Sequence, residues 1–180
     1  MLLTYEQCLK KYKNNYQMEK AVSRGDLFKL EKGIYSDKKY ESELAIISLR
    51  YSKAIFTLNS AFYYYGLTDT IPEKYYLQTD SHAKVINDSR IYQLFDNSKI
   101  LETGITEMDQ DGVKIRIYDK ERLLLELLRH KKKLPFDYYK EIITSYRRMS
   151  HELDFQKIQD YIKNMPKTKM IMEALQMEVL

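Results

Sequence analysis

Six polar or basic side chains near the start of the chain have the chemistry of nucleic-acid contacts. They are Asn15, Gln17, Lys20, Arg24, Lys29 and Lys32. Amide side chains make paired hydrogen bonds to base edges, and guanidinium and ammonium groups bind base acceptors or phosphate oxygens. Such side chains contact DNA when the fold presents them on a surface, so the elements that carry them decide the interpretation.

Two short helices and a two-stranded ribbon are predicted around these six residues. Thr4 is suited to cap a first helix over 5–12, where apolar residues recur at helical spacing. A second helix over 16–24 ends at Gly25, because glycine tolerates the left-handed conformation that closes many helices. The alternating run over 27–35 predicts a short two-stranded ribbon.

This order of elements is that of a minimal winged helix-turn-helix domain over residues 1–36. In such a domain the second helix enters the major groove of DNA and the ribbon lies along the backbone or minor groove. Gln17, Lys20 and Arg24 would lie on the second helix, with Asn15 at its N-terminus. Lys29 and Lys32 would lie on the ribbon. A plain α–α–β start whose lysines are only solvated fits the same pattern, so both interpretations stay open here.

The positive charge of the chain is concentrated in this first segment. The formal net charge is +4 over 180 residues. Residues 1–36 contain seven Lys and Arg against four Asp and Glu, a net charge of +3. Residues 37–133 contain 16 basic and 15 acidic side chains, and residues 134–180 contain seven of each. A basic segment indicates nucleic acid as a partner, although a solvated lysine-rich face has the same composition.

Composition predicts a soluble, cytoplasmic protein with a real core. The hydrophobic fraction is 44%, with 17 Tyr, six Phe and no Trp, and this argues against disorder. The single Cys8 cannot form an intramolecular disulfide, and the first residues lack the apolar run of a signal peptide. No stretch approaches the roughly 20 apolar residues of a membrane span, so we expect no membrane association.

Residues 37–180 are predicted to form an α+β domain with a helical tail, with the domain boundary near residues 36–39. Short strands and helices are expected at 40–51, 55–58, 61–65 (capped by Ser60), 75–79, 91–95 and 100–107. Asp111-Gly112 is a hairpin signal before a clean alternation over 113–117. A leucine-rich helix over 120–130 follows the cap Asp119, and further helices are expected at 136–150, 154–164 and 167–179.

Six basic residues of this second domain are candidates for additional phosphate contacts. They are Arg129, Lys131, Lys132, Lys133, Arg147 and Arg148. If several share a face, they would extend a DNA-binding surface whose affinity falls with salt. The alternative is pairing with glutamates along the helices. For Arg122 the pairing with Glu126, four residues later, is the favoured interpretation.

No pattern for catalysis, metal binding or a cofactor is found. The segment 109–112 has acidic residues and a glycine, but the further ligands of a calcium loop are missing, so a hairpin turn is favoured. His82, His130 and His151 lack partners at zinc-ligand spacing. There is no glycine-rich phosphate loop or nucleophile elbow. We therefore predict no catalytic residue, no metal site and no cofactor.

Three blocks of the sequence together carry a resemblance to a known family. The first is SRGDLFKLEKGIY, with Gly25, Leu27, Leu30 and the ending Gly33-Ile34-Tyr35. The others are FTLNSAFYYYGLTDTIPEKYYLQTD and KIRIYDKERLLLELLR, the last followed by PFDYYKEIITSYR. These blocks resemble the AbiEi family of antitoxins, the regulator components of type IV abortive-infection toxin–antitoxin systems. The family often has a further helix before the position of Thr4, where this chain has only Met1-Leu2-Leu3, so the winged domain would be minimal.

The resemblance implies a phage-defence antitoxin that is also a transcriptional repressor. The N-terminal domain would bind inverted repeats in operator DNA and repress its own operon, as a monomer or a cooperative assembly. The C-terminal domain would carry antitoxicity against a nucleotidyltransferase-like toxin, without a stable complex. Two other classes remain: a protein-interaction module that neutralises a partner by direct binding, and a nucleic-acid enzyme.

Overall fold

The fold, taken from a computed structural model, is α+β as predicted, with two separate sheets. The structure describes residues 1–179, without the side chain of Ser98. Two compact units are present: Met1–Lys53 together with Asp111–Lys114, and Ala54–Gln110 together with the chain from Ile115 onward.

The first unit begins with a strand, two helices and a hairpin, followed by a third helix. Its elements are β1 (Leu2–Thr4), α1 (Tyr5–Tyr12), α2 (Asn15–Arg24), β2 (Phe28–Glu31), β3 (Ile34–Ser36) and α3 (Glu43–Arg50). The predicted helix pair and ribbon are confirmed as secondary structure. Thr4 and Gln7 form a complete capping box at the start of α1, which accounts for the sharp beginning of that helix.

Strand β1 was not predicted, and it completes the small sheet. The order is β1-β3-β2, with antiparallel pairing on both sides of β3. Leu3 lies opposite Tyr35, and both side chains are buried with Cys8, Met18 and Leu27 in the core of the unit. Three residues are too short for a strand to be recognised by alternation, and pairing with β3 is what orders them.

The first unit continues past the predicted boundary at residue 36 and includes α3. This helix is capped by Ser42, whose hydroxyl accepts a hydrogen bond from the backbone N–H of Ala45, and it packs against β1. At its end Arg50 forms an ion pair of 2.7 Å with Glu31 and donates to the carbonyl of Lys32. These contacts join α3 to the hairpin, which local sequence patterns do not reveal.

Among the described residues, the second unit contains six helices and a five-stranded sheet, except for Val113 and Lys114 of that sheet, which belong to the first unit. The strands, in the order β6-β5-β4-β8-β7, are β4 (Ile55–Phe56), β5 (Tyr75–Asp80), β6 (Ile91–Asp96), β7 (Ile105–Gln110) and β8 (Val113–Tyr118). The helices are α4 (Leu58–Tyr64), α5 (Ser98–Leu101), α6 (Lys120–His130), α7 (Phe136–Arg148), α8 (Phe155–Lys163) and α9 (Thr168–Glu178). The hairpin at Asp111-Gly112 is confirmed, since both residues have the positive φ that a two-residue hairpin turn requires.

Helix α6 forms the centre of the second unit. Every side chain from Glu121 to Leu128 is buried, and α4, α8 and α9 pack around the helix. Asp119 caps it as predicted, by accepting a 2.8 Å hydrogen bond from the backbone N–H of Arg122. A helix buried on all sides, rather than along one stripe, is typical of a core element.

The predicted strand over 100–107 is wrong in its first half. Residues Ser98–Leu101 form a short helix, Gly104 has a φ of +78°, and the strand begins only at Ile105. The reason lies in α6: the Arg122 guanidinium donates to the carbonyl oxygens of Ile100 and Thr103. These bonds, together with the backbone N–H groups of Glu102 and Thr103 that donate to the same Ile100 carbonyl, hold this segment in a helix and turn.

Ser60 does not cap α4 as predicted. The helix begins at Leu58, three residues earlier than predicted, and the Ser60 hydroxyl instead accepts a 2.8 Å hydrogen bond from the backbone N–H of Tyr76. The side chain is fully buried against β5. Tertiary contact with the sheet therefore takes the place of the local capping bond.

Gly104→Ala should destabilise the protein by about 3 kcal/mol, the combined effect of a left-handed backbone and overpacking. A Cβ atom at this position would lie 2.6 Å from the Cβ atom of Arg122. Gly112→Ala is the matched control, because Gly112 has the same φ of +78° but no atom within 4 Å of an added Cβ. Urea unfolding measures both, and we expect a loss near 1 kcal/mol for the control. Equal losses would contradict the close approach to Arg122.

Candidate nucleic-acid interface

Helix α2 is fixed at both ends by local hydrogen bonds. Asn14 is the N-cap, and its side-chain oxygen accepts from the backbone N–H of Gln17 at 2.9 Å. Gly25 closes the helix in the left-handed conformation and donates to the carbonyls of Ala21 and Val22. Well-satisfied ends keep a ten-residue helix from fraying, so its exposed face is a defined surface.

The predicted contact residues of α2 are all exposed. Met18 and Ala21 point into the core of the first unit, whereas the remaining face carries the polar set Asn15, Gln17, Lys20 and Arg24. Gln17, Lys20 and Arg24 are separated by three and four residues, which places them along one side of a helix. Val22, which apolar spacing assigns to the inner face, is 38% exposed.

The two predicted ribbon lysines are also exposed. Lys29 lies within β2 opposite Tyr35, and Lys32 lies in the turn that precedes Gly33. Two hydrogen bonds hold this turn. The Tyr5 backbone N–H donates to the Gly33 carbonyl at 2.9 Å, and the Arg50 guanidinium donates to the Lys32 carbonyl at 3.1 Å. The backbone that carries Lys32 is therefore well supported.

Sequence patterns missed two residues next to this surface. The Tyr5 hydroxyl donates a 2.8 Å hydrogen bond to the side-chain oxygen of Asn15, ten positions away and in another helix. Tyr16, in the first turn of α2, is 68% exposed. Apolar periodicity counts tyrosine among the core residues, whereas the structure shows that both of these rings are exposed.

The six candidate residues of the second unit fall into two groups. Arg129 is largely buried and forms ion pairs with Asp96 at 2.9 Å and Glu126 at 3.2 Å. Lys131 pairs with Glu178, and Arg147 donates to the Glu178 backbone carbonyl. Lys131 and Arg147 are nevertheless exposed, as are the remaining three, Lys132, Lys133 and Arg148.

Arg129 belongs to a buried charge cluster built around Arg122 and Glu126. Arg122 is fully buried, and it donates to the Glu126 carboxylate at 2.8 Å and 3.0 Å, which confirms the predicted pairing. Burial by itself raises the pKa of Glu126. The His130 ring, whose Nδ1 lies 3.3 Å from the carboxylate, and the charges of Arg122 and Arg129 together outweigh it and lower the pKa to about 2. Glu126 is therefore ionised and holds Arg129 in the interior, away from an external phosphate.

Among residues 1–179 no cluster of three or more His, Cys, Asp or Glu side chains could hold a metal ion. In the same part of the chain, no helix combines the length and apolar character that a membrane crossing requires.

Comparison with known proteins yields a structural neighbour and no family. No protein-family model matches the chain, and no curated protein matches it. The fold is similar to the crystal structure of the RV2827C protein from Mycobacterium tuberculosis, with a TM-score of 0.66. The similarity covers 98% of this chain and 71% of that chain at 11% sequence identity. At this identity the similarity concerns the fold alone.

Arg129→Ala should lower the free energy of unfolding by about 3 kcal/mol, because it leaves Asp96 and Glu126 short of a buried counter-charge. Lys132→Ala is the control: it removes the same charge from an exposed side chain and should change stability by about 0.5 kcal/mol or less. Urea unfolding at neutral pH measures both. A stability loss for Arg129→Ala no greater than that of the control would argue against the buried cluster.

Proposed function

We propose that the chain is an operator-binding autorepressor whose first unit is a minimal winged helix-turn-helix. The observation that carries this proposal is the exposed polar row Gln17, Lys20 and Arg24 on a firmly capped helix, followed in the chain by a hairpin with two exposed lysines. The sheet order β1-β3-β2 supports it, since a third strand steadies the hairpin that would act as the wing.

The dimensions and chemistry of α2 suit the major groove. Ten residues of α-helix extend about 15 Å, and the groove is about 12 Å wide and accepts one helix. Gln17 can pair with an adenine edge, and Arg24 can donate two hydrogen bonds to guanine or bind phosphate. Lys29 and Lys32 would bind phosphates beside the groove, which adds affinity without sequence preference.

The antitoxin part of the proposal rests on the resemblance to the AbiEi family. In that proposal the second unit carries antitoxicity against a nucleotidyltransferase-like toxin, and the two proteins do not form a stable complex. The resemblance extends into the second unit through the block around α6, KIRIYDKERLLLELLR. Much of this block is buried in the unit, so it supports the fold of the unit rather than a particular antitoxic residue.

Arg24→Ala should weaken binding to operator DNA about tenfold and lower the slope of log affinity against log salt by about one, because one cationic contact is lost. Fluorescence anisotropy with the DNA upstream of the operon and with a scrambled duplex, at two salt concentrations, measures both effects. Lys39→Ala is the control, since it removes one exposed positive charge from the first unit outside α2 and the hairpin.

Two results would count against this assignment. Unchanged affinity for Arg24→Ala would exclude that residue from the interface. Equal, weak binding of the wild-type protein to both duplexes would leave only a basic surface and remove the repressor proposal. Arg24 is exposed, so unfolding of the variant should match the wild type within about 0.5 kcal/mol.

Arg24→Ala should keep antitoxicity if the second unit carries it. Expressed from an independent promoter, this variant should rescue the growth of cells that make a nucleotidyltransferase-like toxin encoded in the same operon as well as the wild type does. Lys39→Ala again serves as control. Rescue by the wild type but not by Arg24→Ala would show that the two activities share residues, and no rescue by the wild type would remove the antitoxin proposal.

A second candidate function is neutralisation of a partner protein by direct binding. It is favoured by two exposed aromatic side chains on the edge strand β6, Tyr92 and Phe95, which are 50% and 44% exposed. This function would give a stable complex with the partner in size-exclusion chromatography and no salt-dependent binding to DNA. The antitoxin proposal gives the opposite result in both experiments.

A further inference from the structure

The hydrogen bond between Tyr5 and Asn15 determines which groups Asn15 can offer to a ligand. An asparagine side chain has one acceptor oxygen and an NH2 group with two donors. The oxygen receives the Tyr5 hydroxyl at 2.8 Å. Among the residues that the structure describes, the NH2 group donates no hydrogen bond. Asn15 is exposed at the first residue of α2, so its two N–H groups are available to an outside molecule.

The position of Tyr5 is itself fixed by its neighbours, so the hydrogen bond from Tyr5 to Asn15 is part of the ordered structure. The Tyr5 backbone N–H donates a 2.9 Å hydrogen bond to the Gly33 carbonyl, and Tyr5 is the first residue of α1, directly after the cap Thr4. The packing of α1 on α2 relies on other residues, since Cys8, Met18 and Ala21 are buried together. The hydroxyl is therefore not needed to hold the helices together, and its partner is a side chain at the proposed interface.

We propose that Tyr5 is a positioning residue that makes Asn15 a hydrogen-bond donor toward DNA. The proposal rests on the proposed DNA-binding function of the first unit. A donor recognises acceptors: guanine O6 and N7, adenine N7, thymine O4 or a phosphate oxygen. The paired contact that asparagine makes with adenine also needs the side-chain oxygen, to accept from the adenine amino group. The Tyr5 hydroxyl occupies one of the two lone pairs of that oxygen and fixes the orientation of the amide, so Asn15 presents its NH2 group to an acceptor and the paired contact with adenine is disfavoured.

The test is a double-mutant cycle of Tyr5→Phe and Asn15→Ala in the full-length protein. The probe is a duplex selected by the wild-type protein from a random-sequence DNA library, with a scrambled duplex for comparison. Tyr5→Phe should weaken binding about fivefold, the effect of one hydrogen bond. In the Asn15→Ala background it should have no effect, because Tyr5 acts through Asn15. Tyr12→Phe, which removes the same atom from the same helix, should bind like the wild type.

Base preference gives a readout that a purely structural role would not change. Repeating the selection with Tyr5→Phe should raise the frequency of adenine at the position where Asn15→Ala relaxes the preference, because the amide can then turn to make the paired contact with adenine. If Asn15 binds phosphate instead, Asn15→Ala lowers the affinity for all sequences equally and no base position changes. Both results support a donor role for Asn15. A changed base preference identifies the acceptor as a base, and a uniform loss of affinity identifies it as a phosphate.

Two outcomes would overturn the proposal while the DNA-binding function stands. One is wild-type affinity for Tyr5→Phe, and the other is an equal loss from Tyr5→Phe in the wild-type and Asn15→Ala backgrounds. A library selection that gives no preferred sequence with the wild-type protein would instead overturn the proposed function, and the inference with it. Thermal unfolding of each variant, expected to match the wild type, separates loss of contact from loss of fold.

Discussion

The second unit is organised around one buried positive charge, the guanidinium of Arg122. Moving such a charge from water into a protein interior costs several kcal/mol unless partners compensate it. Here the Glu126 carboxylate and two backbone carbonyls accept hydrogen bonds from it, and the ring of Tyr118 lies 4.5 Å away. The Tyr118 hydroxyl in turn donates to the carbonyl of Leu101. One side chain thus links α6, the end of β8 and the turn after α5, and the conformation of each depends on the others.

The first unit is stabilised in another way. Its hydrophobic core is small, and a small core buries too little apolar surface to tolerate loose ends. The capping box at Thr4, the asparagine cap of α2 and the support of the hairpin turn by Arg50 supply the remaining order. Only the inner side of α2 is used for packing, so its polar residues are available for a ligand.

Basic composition is a poor guide to contact surfaces in this chain. The second unit contains most of the lysines and arginines, but several of its arginines are engaged within the unit. Arg122 and Arg129 neutralise buried carboxylates, and Arg147 binds a backbone carbonyl. In the first unit Lys20 and Arg24 are exposed, with no such partner among the described residues. The DNA-binding proposal therefore depends on where the charges lie and not on how many there are.

Sequence alone determined the features whose hydrogen bonds join near neighbours. These features are the caps at Thr4 and Asp119, the helices α1, α2 and α6, and the Asp111-Gly112 hairpin. Each depends on residues within about four positions of one another, and the backbone of so short a segment brings such residues together by itself. The i to i+4 pairing of Arg122 with Glu126 belongs to the same class.

The tertiary structure decided the remainder. Strand β1 forms only because β3 pairs with it. The helix Ser98–Leu101 and the turn after it are held by Arg122, at least 19 positions away, which donates to the carbonyls of Ile100 and Thr103. Arg129 is bound by Asp96, 33 positions earlier, and Asn15 by Tyr5 in another helix. Such partners meet only after the chain has collapsed, and no local pattern encodes which distant acceptor a given donor will find.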